Sequence, residues 1–296
     1  LLSKNIPIGI YNKIQGQAIA AKKINLDIDY YIFNRFENKQ INNLKLIRLN
    51  LPKNKVLNYI QRFYFKYKNI YKHVNLEKYN KIILRYSLST DFFYYKPFWE
   101  KYKNKIITIH NSNEIEELKS GTSLLSKIKL YLERKNSPKF LSNVIGIISV
   151  SDEIRKIQLK KIGVNKPSSV VANGVDVANI SFTKHISFDN KTLNLIFLST
   201  NFQSWQGLER LLKSLIQYKG EIKIKLLLIG DVICKYEMEL INTILNPNID
   251  IQVLGRQYGN DLDKYFSKST IAIGPLALYK KNMQESENGL LLLFYY

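Results

Sequence analysis

Short, unbroken Ile/Leu/Val runs alternate with helix-length segments along almost the whole chain, and this alternation constrains the fold more than any other feature. The runs fall at 27–33, 44–49, 81–86, 105–110, 146–150 and 168–172, then at 193–199, 223–230, 250–254 and 270–274. Several are continuously apolar rather than alternating, as parallel strands buried on both faces require. Helices between parallel strands imply right-handed crossovers and a doubly wound α/β sheet. The clearest unit spans residues 146–176. A strand runs into Ser151-Asp152-Glu153, a helix start whose hydroxyl and carboxylates suit free backbone N–H groups. A helix of about ten residues then ends near Gly163, and a second strand stops at Asn173-Gly174, a pair that tolerates positive φ.

With 296 residues the chain can form two domains, each with its own core. No stretch approaches the roughly 18 apolar residues of a membrane span, and no basic segment with an apolar core marks a signal peptide. One cysteine, Cys234, allows no internal disulfide and fits a reducing, cytoplasmic setting. Three scattered histidines, His73, His110 and His185, form no zinc-type cluster, so no metal is expected. The net charge of +21 is lopsided: residues 1–150 hold 27 Lys and Arg against 10 Asp and Glu, residues 151–296 hold 18 against 14. A Lys-, Asn- and Ile-rich coding bias accounts for much of the Lys content but not for the asymmetry. A basic first half implies an anionic partner, with an anionic membrane surface or a lipid-pyrophosphate favoured. No finger, RNP-like strand or recognition helix supports a specific nucleic-acid partner.

The segment ending "VS…NGVD" resembles the end of the first domain in family 4 glycosyltransferases, which have the glycosyltransferase B fold. The loop Thr200-Asn201-Phe202-Gln203-Ser204-Trp205-Gln206-Gly207 before LERLLKSL is similar to the "WHG-x-x-R-L" motif of a polysaccharide-making branch. Trp205, Gly207, Arg210 and Leu211 match in place, and Gln206 stands where that branch has His. Residues 270–286 look like the same branch's "IGSLALHRKG…EAS" segment. Glu285 would be the first acid of an E-x7-E motif; the second position holds Leu293.

The resemblance implies two Rossmann-like doubly wound parallel-sheet domains facing a cleft: an acceptor-side domain over 1–178, a linker over 179–192 and a nucleotide-sugar domain over 193–296. It also implies that a first strand before Gly9 and a C-terminal portion after Ser286 are missing. The implied donor is a nucleotide diphosphate-sugar held by Asn201, Gln206, Gly207, Gly230 and Arg256, with no metal and no other cofactor. The implied acceptor is lipid-linked or an oligosaccharide, met by Gly9, Arg85 and Asn173 on the basic domain. His110 and Glu285 carry the catalytic expectation, His110 by orienting substrate at a strand end; a structural strand-end histidine fits the same pattern. A plain strand–helix turn likewise fits Trp205, and a solvated arginine fits Arg256 or Arg85. The expected location is cytoplasmic, peripheral on the inner membrane face. Helix 56–74 places Ile60, Phe63, Tyr64, Tyr67, Ile70, Tyr71 and Val74 beside Arg62, Lys66, Lys68 and Lys72, a pattern for lipid contact or for packing on a sheet. An inactive remnant and a sugar-nucleotide epimerase of similar fold are the alternatives.

Overall fold

The computed structural model describes residues 8–34, 39–41, 43–54, 57–58, 60–61, 66–87, 95–119, 123–174, 188–231 and 233–277. The chain divides into two compact units, Leu1–Asp176 and Val177–Tyr296.

In the first unit, helix α1 (Ile8–Lys23) precedes strands β1 (Tyr30–Asn34), β2 (Lys39–Ile41) and β3 (Leu44–Arg48). These form a small sheet of order β1–β3–β2, with β1 and β3 parallel and β2 antiparallel to β3. α1 lies on it through Ile14 and Ala18, which meet Ile32, Leu44 and Leu46. The strand at β2 was not expected: Lys39-Gln40-Ile41 is too short and polar for a periodic signal.

Helix α2 (Lys66–His73), β4 (Ile82–Arg85), α3 (Tyr95–Tyr102), β5 (Ile106–His110), α4 (Glu114–Lys119), α5 (Leu124–Asn143), β6 (Gly146–Ser149), α6 (Asp152–Ile162) and β7 (Ser168–Val170) follow. β4–β5–β6–β7 make a second sheet, all parallel and in sequence order. Among the described residues the first unit thus holds two sheets rather than one. They share one core: Phe33 and Leu49 cluster with Phe98, Trp99, Ile106, Phe140 and Ile147. The Tyr31 and Tyr79 hydroxyls, 2.6 Å apart, and the Lys78–Asp29 pair at 3.2 Å tie the sheets together at their edge.

α6 forms as its sequence dictates. The Ser151 hydroxyl accepts from the Ile154 N–H at 3.3 Å, Asp152 and Glu153 occupy the positive end, and Gly163 closes the helix at φ 67°. The aromatic stripe expected over 56–74 packs inward where it is described. Tyr67 is buried, with its ring 4.7 Å from Phe98 and 6.4 Å from Phe140. Phe63 and Tyr64 lie outside the described residues.

In the second unit, β8 (Thr192–Asn201), α7 (Leu208–Ile216), β9 (Lys223–Asp231), α8 (Lys235–Asn242), β10 (Ile249–Gly255), α9 (Gly259–Ser267) and β11 (Ile271–Ile273) build a wholly parallel sheet of order β10–β9–β8–β11. Winding proceeds outward from β8 to β10, then reverses to place β11 on β8's other side. That reversal is the topological switch point, where open α/β sheets present a crevice at their carboxyl ends. Phe197, Leu208, Leu212, Leu226 and Leu228 fill the core beneath it. Among the described residues no helix is long and apolar enough to cross a membrane.

Candidate functional site

The switch point of the second unit is built mainly from backbone. β8 ends at Asn201, and residues 204–206 make a tight turn before α7. The Gln206 carboxamide oxygen accepts from the Gln203 N–H at 2.8 Å and the Ser199 hydroxyl at 2.6 Å. Gln206 therefore ties the turn to the end of β8. Gly207 follows with φ 78°, and a Cβ there would lie 2.9 Å from the Leu276 Cβ and 3.0 Å from the Ala277 N. Both the conformation and the space demand glycine. The turn meets the segment after β11: the Leu276 N–H donates to the Gln206 carbonyl at 2.8 Å, and the Arg210 guanidinium donates to the Leu276 carbonyl at 3.1 Å. With Gly207 as N-cap, α7 has no side-chain cap, so its N-terminus retains the affinity for anions that a capping oxygen would use up.

Gly230 is explained by the protein itself. A Cβ there would fall 2.0 Å from the Ser199 carbonyl oxygen and 3.1 Å from the Phe202 ring. The close approach accompanies a register shift between β8 and β9, after which Asn201 pairs with Asp231. Beyond β10, the Arg256 guanidinium lies 2.6 Å from the Asp231 carboxylate, both side chains nearly half exposed. Such a rim pair contributes about 0–1 kcal/mol, so a ligand anion could recruit Arg256 at small cost. Glu285 lies outside the described residues.

The strand ends of the first unit are built from side chains. His110 closes β5 and is fully buried, not facing open space as its strand-end position led us to expect. Its Nδ1 lies 3.0 Å from Glu114 Oε1 and its Nε2 3.1 Å from the Thr108 hydroxyl. A carboxylate only accepts, so Nδ1 carries the hydrogen. Tyr86 stacks on the imidazole with ring centres 4.6 Å apart and donates to Glu133 at 2.6 Å. The Gln158 amide donates to Glu114 Oε2 at 3.0 Å, and the Lys161 ammonium sits 3.6 Å from Glu114 and 4.0 Å from Glu133. Burial pushes the Glu114 carboxyl up, but the His110 hydrogen bond and the His110 and Lys161 charges outweigh it and hold Glu114 below its ordinary value. Gln158 and Lys161 did not stand out in the sequence, and Glu114 was legible only as the first of three acids after His110, expected in a loop where the structure has a helix.

Arg85 ends β4, level with Ile109 on β5, and is half-buried. Asn173 follows β7, and Gly9 lies in the first turn of α1. From α1 the Lys13 ammonium donates to the side-chain oxygens of both Asn111, at 3.5 Å, and Asn173. Lys13 carried no motif, yet it joins α1 to two strand ends.

Each unit thus has the α/β architecture of parallel strands with functional groups gathered at their carboxyl ends. No protein-family model matches the chain, and no curated protein matches it. Among solved structures, HepE of Anabaena, in complex with UDP and glucose, superposes with a TM-score of 0.52 at 13% identity, over 87% of this chain and 68% of HepE. UGT89C1 of Arabidopsis thaliana, complexed with UDP-L-rhamnose, superposes at 0.46 and 8% identity, over 87% of this chain and 67% of its own. The likeness to HepE is one of fold.

Proposed function

We propose that the protein is a glycosyltransferase that moves a sugar from a nucleotide diphosphate-sugar to a lipid-linked or polysaccharide acceptor, with retention, in cell-surface polysaccharide synthesis. The observation that carries this is the switch-point turn of the second unit. Its glycine-capped α7 N-terminus, clipped to the 274–277 segment, offers backbone donors for a diphosphate. The shared fold with a protein solved with UDP and glucose supports the donor class.

In this reaction the bond from the anomeric carbon to the diphosphate breaks and a bond to the acceptor oxygen forms. The acceptor proton leaves with the diphosphate. Charge on the departing group would meet the α7 N-terminus, the Asn201–Gly207 loop and Arg256, an electrostatic role that needs no metal. Glu285 would hold the sugar hydroxyls. His110, with both nitrogens engaged, would act as a positioning residue, fixing the end of β5 and Asn111 beside it. Gly9, Arg85 and Asn173 would form the acceptor side.

An anionic membrane at the inner face would present a lipid-linked acceptor. The first turns of α5 support this: Leu124, Leu125, Ile128 and Tyr131 are exposed, Leu124 at 73% and Tyr131 at 61%. Lys127, Arg134, Lys135 and Lys139 are exposed on the same helix, and its one acid, Glu133, is buried. An apolar face set among bases suits anionic lipid.

Calorimetric titration of the chain with UDP, GDP, ADP, CMP and their sugars tests the donor half. Saturable binding of one nucleotide family that weakens when Gly207 is replaced is expected. Binding of none of them would sink the assignment, and turnover of a free sugar nucleotide without acceptor would make the protein an epimerase.

A further inference from the structure

Four residues distant in sequence meet at the strand ends of the first unit. α1 is anchored on the small sheet by Ile14 and Ala18, which holds Lys13 out toward the larger sheet. There Lys13 reaches Asn111, just past β5, and Asn173, just past β7, while Arg85 ends the neighbouring β4. All four side chains are half-buried.

The chemistry of this group is one-sided. Lys13 and Arg85 are both cations, and neither has a carboxylate partner among the described residues. Glu114, at the start of the helix after β5, is turned inward and committed to His110, Gln158 and Lys161. Each asparagine spends its side-chain oxygen on Lys13, which leaves its NH2 as a donor. The Arg85 guanidinium makes no hydrogen bond or ion pair among the described residues. Ammonium, guanidinium and two amide NH2 groups therefore present only donors, with a charge of +2. Burial, and then the Arg85 charge, hold the Lys13 ammonium below its ordinary value, and burial does the same to Arg85. Two like charges sharing a partly desolvated site lack the anion that would offset them.

We propose that Lys13, Arg85, Asn111 and Asn173 form a phosphoryl-binding subsite. A phosphate monoester or diphosphate supplies what the group lacks: about two negative charges and several acceptor oxygens in a compact head. A carboxylate would leave one cation unmatched. The inference rests on the proposed acceptor role of this unit and narrows it to acceptors carrying phosphate, whether a lipid-linked diphosphate or a soluble sugar phosphate.

The test is titration of the full chain with inorganic pyrophosphate at fixed ionic strength, in the presence of saturating UDP so that the second unit is occupied. Saturable binding is expected, at least tenfold weaker in K13A and in R85A and partly restored in R85K. K156A, a surface control, should bind as the parent does. Because R85A removes one of two like charges and breaks no hydrogen bond among the described residues, it should melt no lower than the parent, which separates lost binding from lost fold; K13A, which also gives up the hydrogen bonds to Asn111 and Asn173, is read below its own melting temperature. Equal pyrophosphate affinity in parent, K13A and R85A would overturn the subsite. So would loss of UDP binding in K13A, which would assign the cluster to the nucleotide. Unchanged UDP affinity in both variants is expected, and a failure of UDP to bind even the parent would strike the donor assignment alone, since the alanine variants still locate the pyrophosphate. Farnesyl diphosphate in micelles and a hexose 1-phosphate then separate the two sources: competition by either supports the subsite and names the acceptor, and competition by neither overturns it.

Discussion

The two parallel sheets present opposite kinds of chemistry at their carboxyl ends. In the second unit, glycines and main chain shape the ends: Gly207 lets the 274–277 segment close on α7, and Gly230 lets β9 pass against Ser199. In the first unit the ends are made of side chains, a buried His110–Glu114–Gln158–Lys161 network behind and a donor-only Lys13–Arg85–Asn pair in front. Backbone donors survive every point substitution except one to proline and carry only partial charge, which suits a diphosphate common to many donors. Side chains carry full charge and can change singly, which suits the partner that must be told apart from others.

This contrast makes substitutions in the two units fail differently. Gly230→Ala should be the most damaging, because the new methyl meets a backbone carbonyl that cannot swing away. A loss of roughly 4 kcal/mol or more is expected. Denaturant unfolding checks it, and an unchanged midpoint would mean that the close approach is absent. Glu114→Gln comes next, at about 3 kcal/mol, since it removes the nearer carboxylate of the buried Lys161 and leaves only Glu133 at 4.0 Å.

Glu114 also sets an acid limit. Its carboxyl is held below the ordinary value of 4.5 in the folded chain. Its stabilising contribution is therefore fully present above about pH 4.5 and fades as pH falls through the lower folded value. The parent should lose stability on acidification in that window, and Glu114→Gln should flatten the profile. Parallel profiles for the two would place the acid sensitivity elsewhere.

Gly207→Ala should cost about 1–3 kcal/mol through its positive φ and weaken UDP binding beyond what the stability change explains. The exposed rim is the gentlest case. Arg256→Ala should alter stability by under about 1 kcal/mol while lowering affinity for the nucleotide diphosphate, and equal affinity would remove Arg256 from the donor site. On α5, replacing Leu124, Ile128 and Tyr131 with Ser should leave the melting temperature nearly unchanged. Sedimentation with anionic vesicles should fall, and undiminished sedimentation would clear that face of a lipid role.

Much of the scaffold could be read from the chain because buried parallel strands must be continuously apolar. All ten anticipated strands are present, with ends displaced by at most three residues. The turn at Gly207 was legible as the loop between an apolar strand and a helix start, and its residues through their resemblance to a family motif. His110 shows the limit. Its place at a strand end was readable, but its direction depends on Glu114, Thr108 and Tyr86, which only the folded packing brings together. Arg85 and Asn173 were already paired on the acceptor side by the family resemblance, whereas Lys13 and Asn111 carry no local pattern, so their joining that group could not be foreseen. The stripe at Tyr67 takes the sheet-packing reading of its two, and the exposed face at Leu124 was not anticipated, since an amphipathic helix pattern states that one face is apolar and not which surface covers it.

The outward-then-back order of the second sheet has a consequence for how the molecule is made. β8, β9 and β10 pair with their sequence neighbours and can assemble as the chain emerges. β11, the other wall of the switch point, pairs with β8 from Ile271 on Leu195 to Ile273 on Phe197, a closure over a long stretch of chain. Loop closure of that length is slow relative to local pairing. Among the described residues the crevice then forms last, and a nascent chain can pair β8, β9 and β10 while the crevice still lacks one wall.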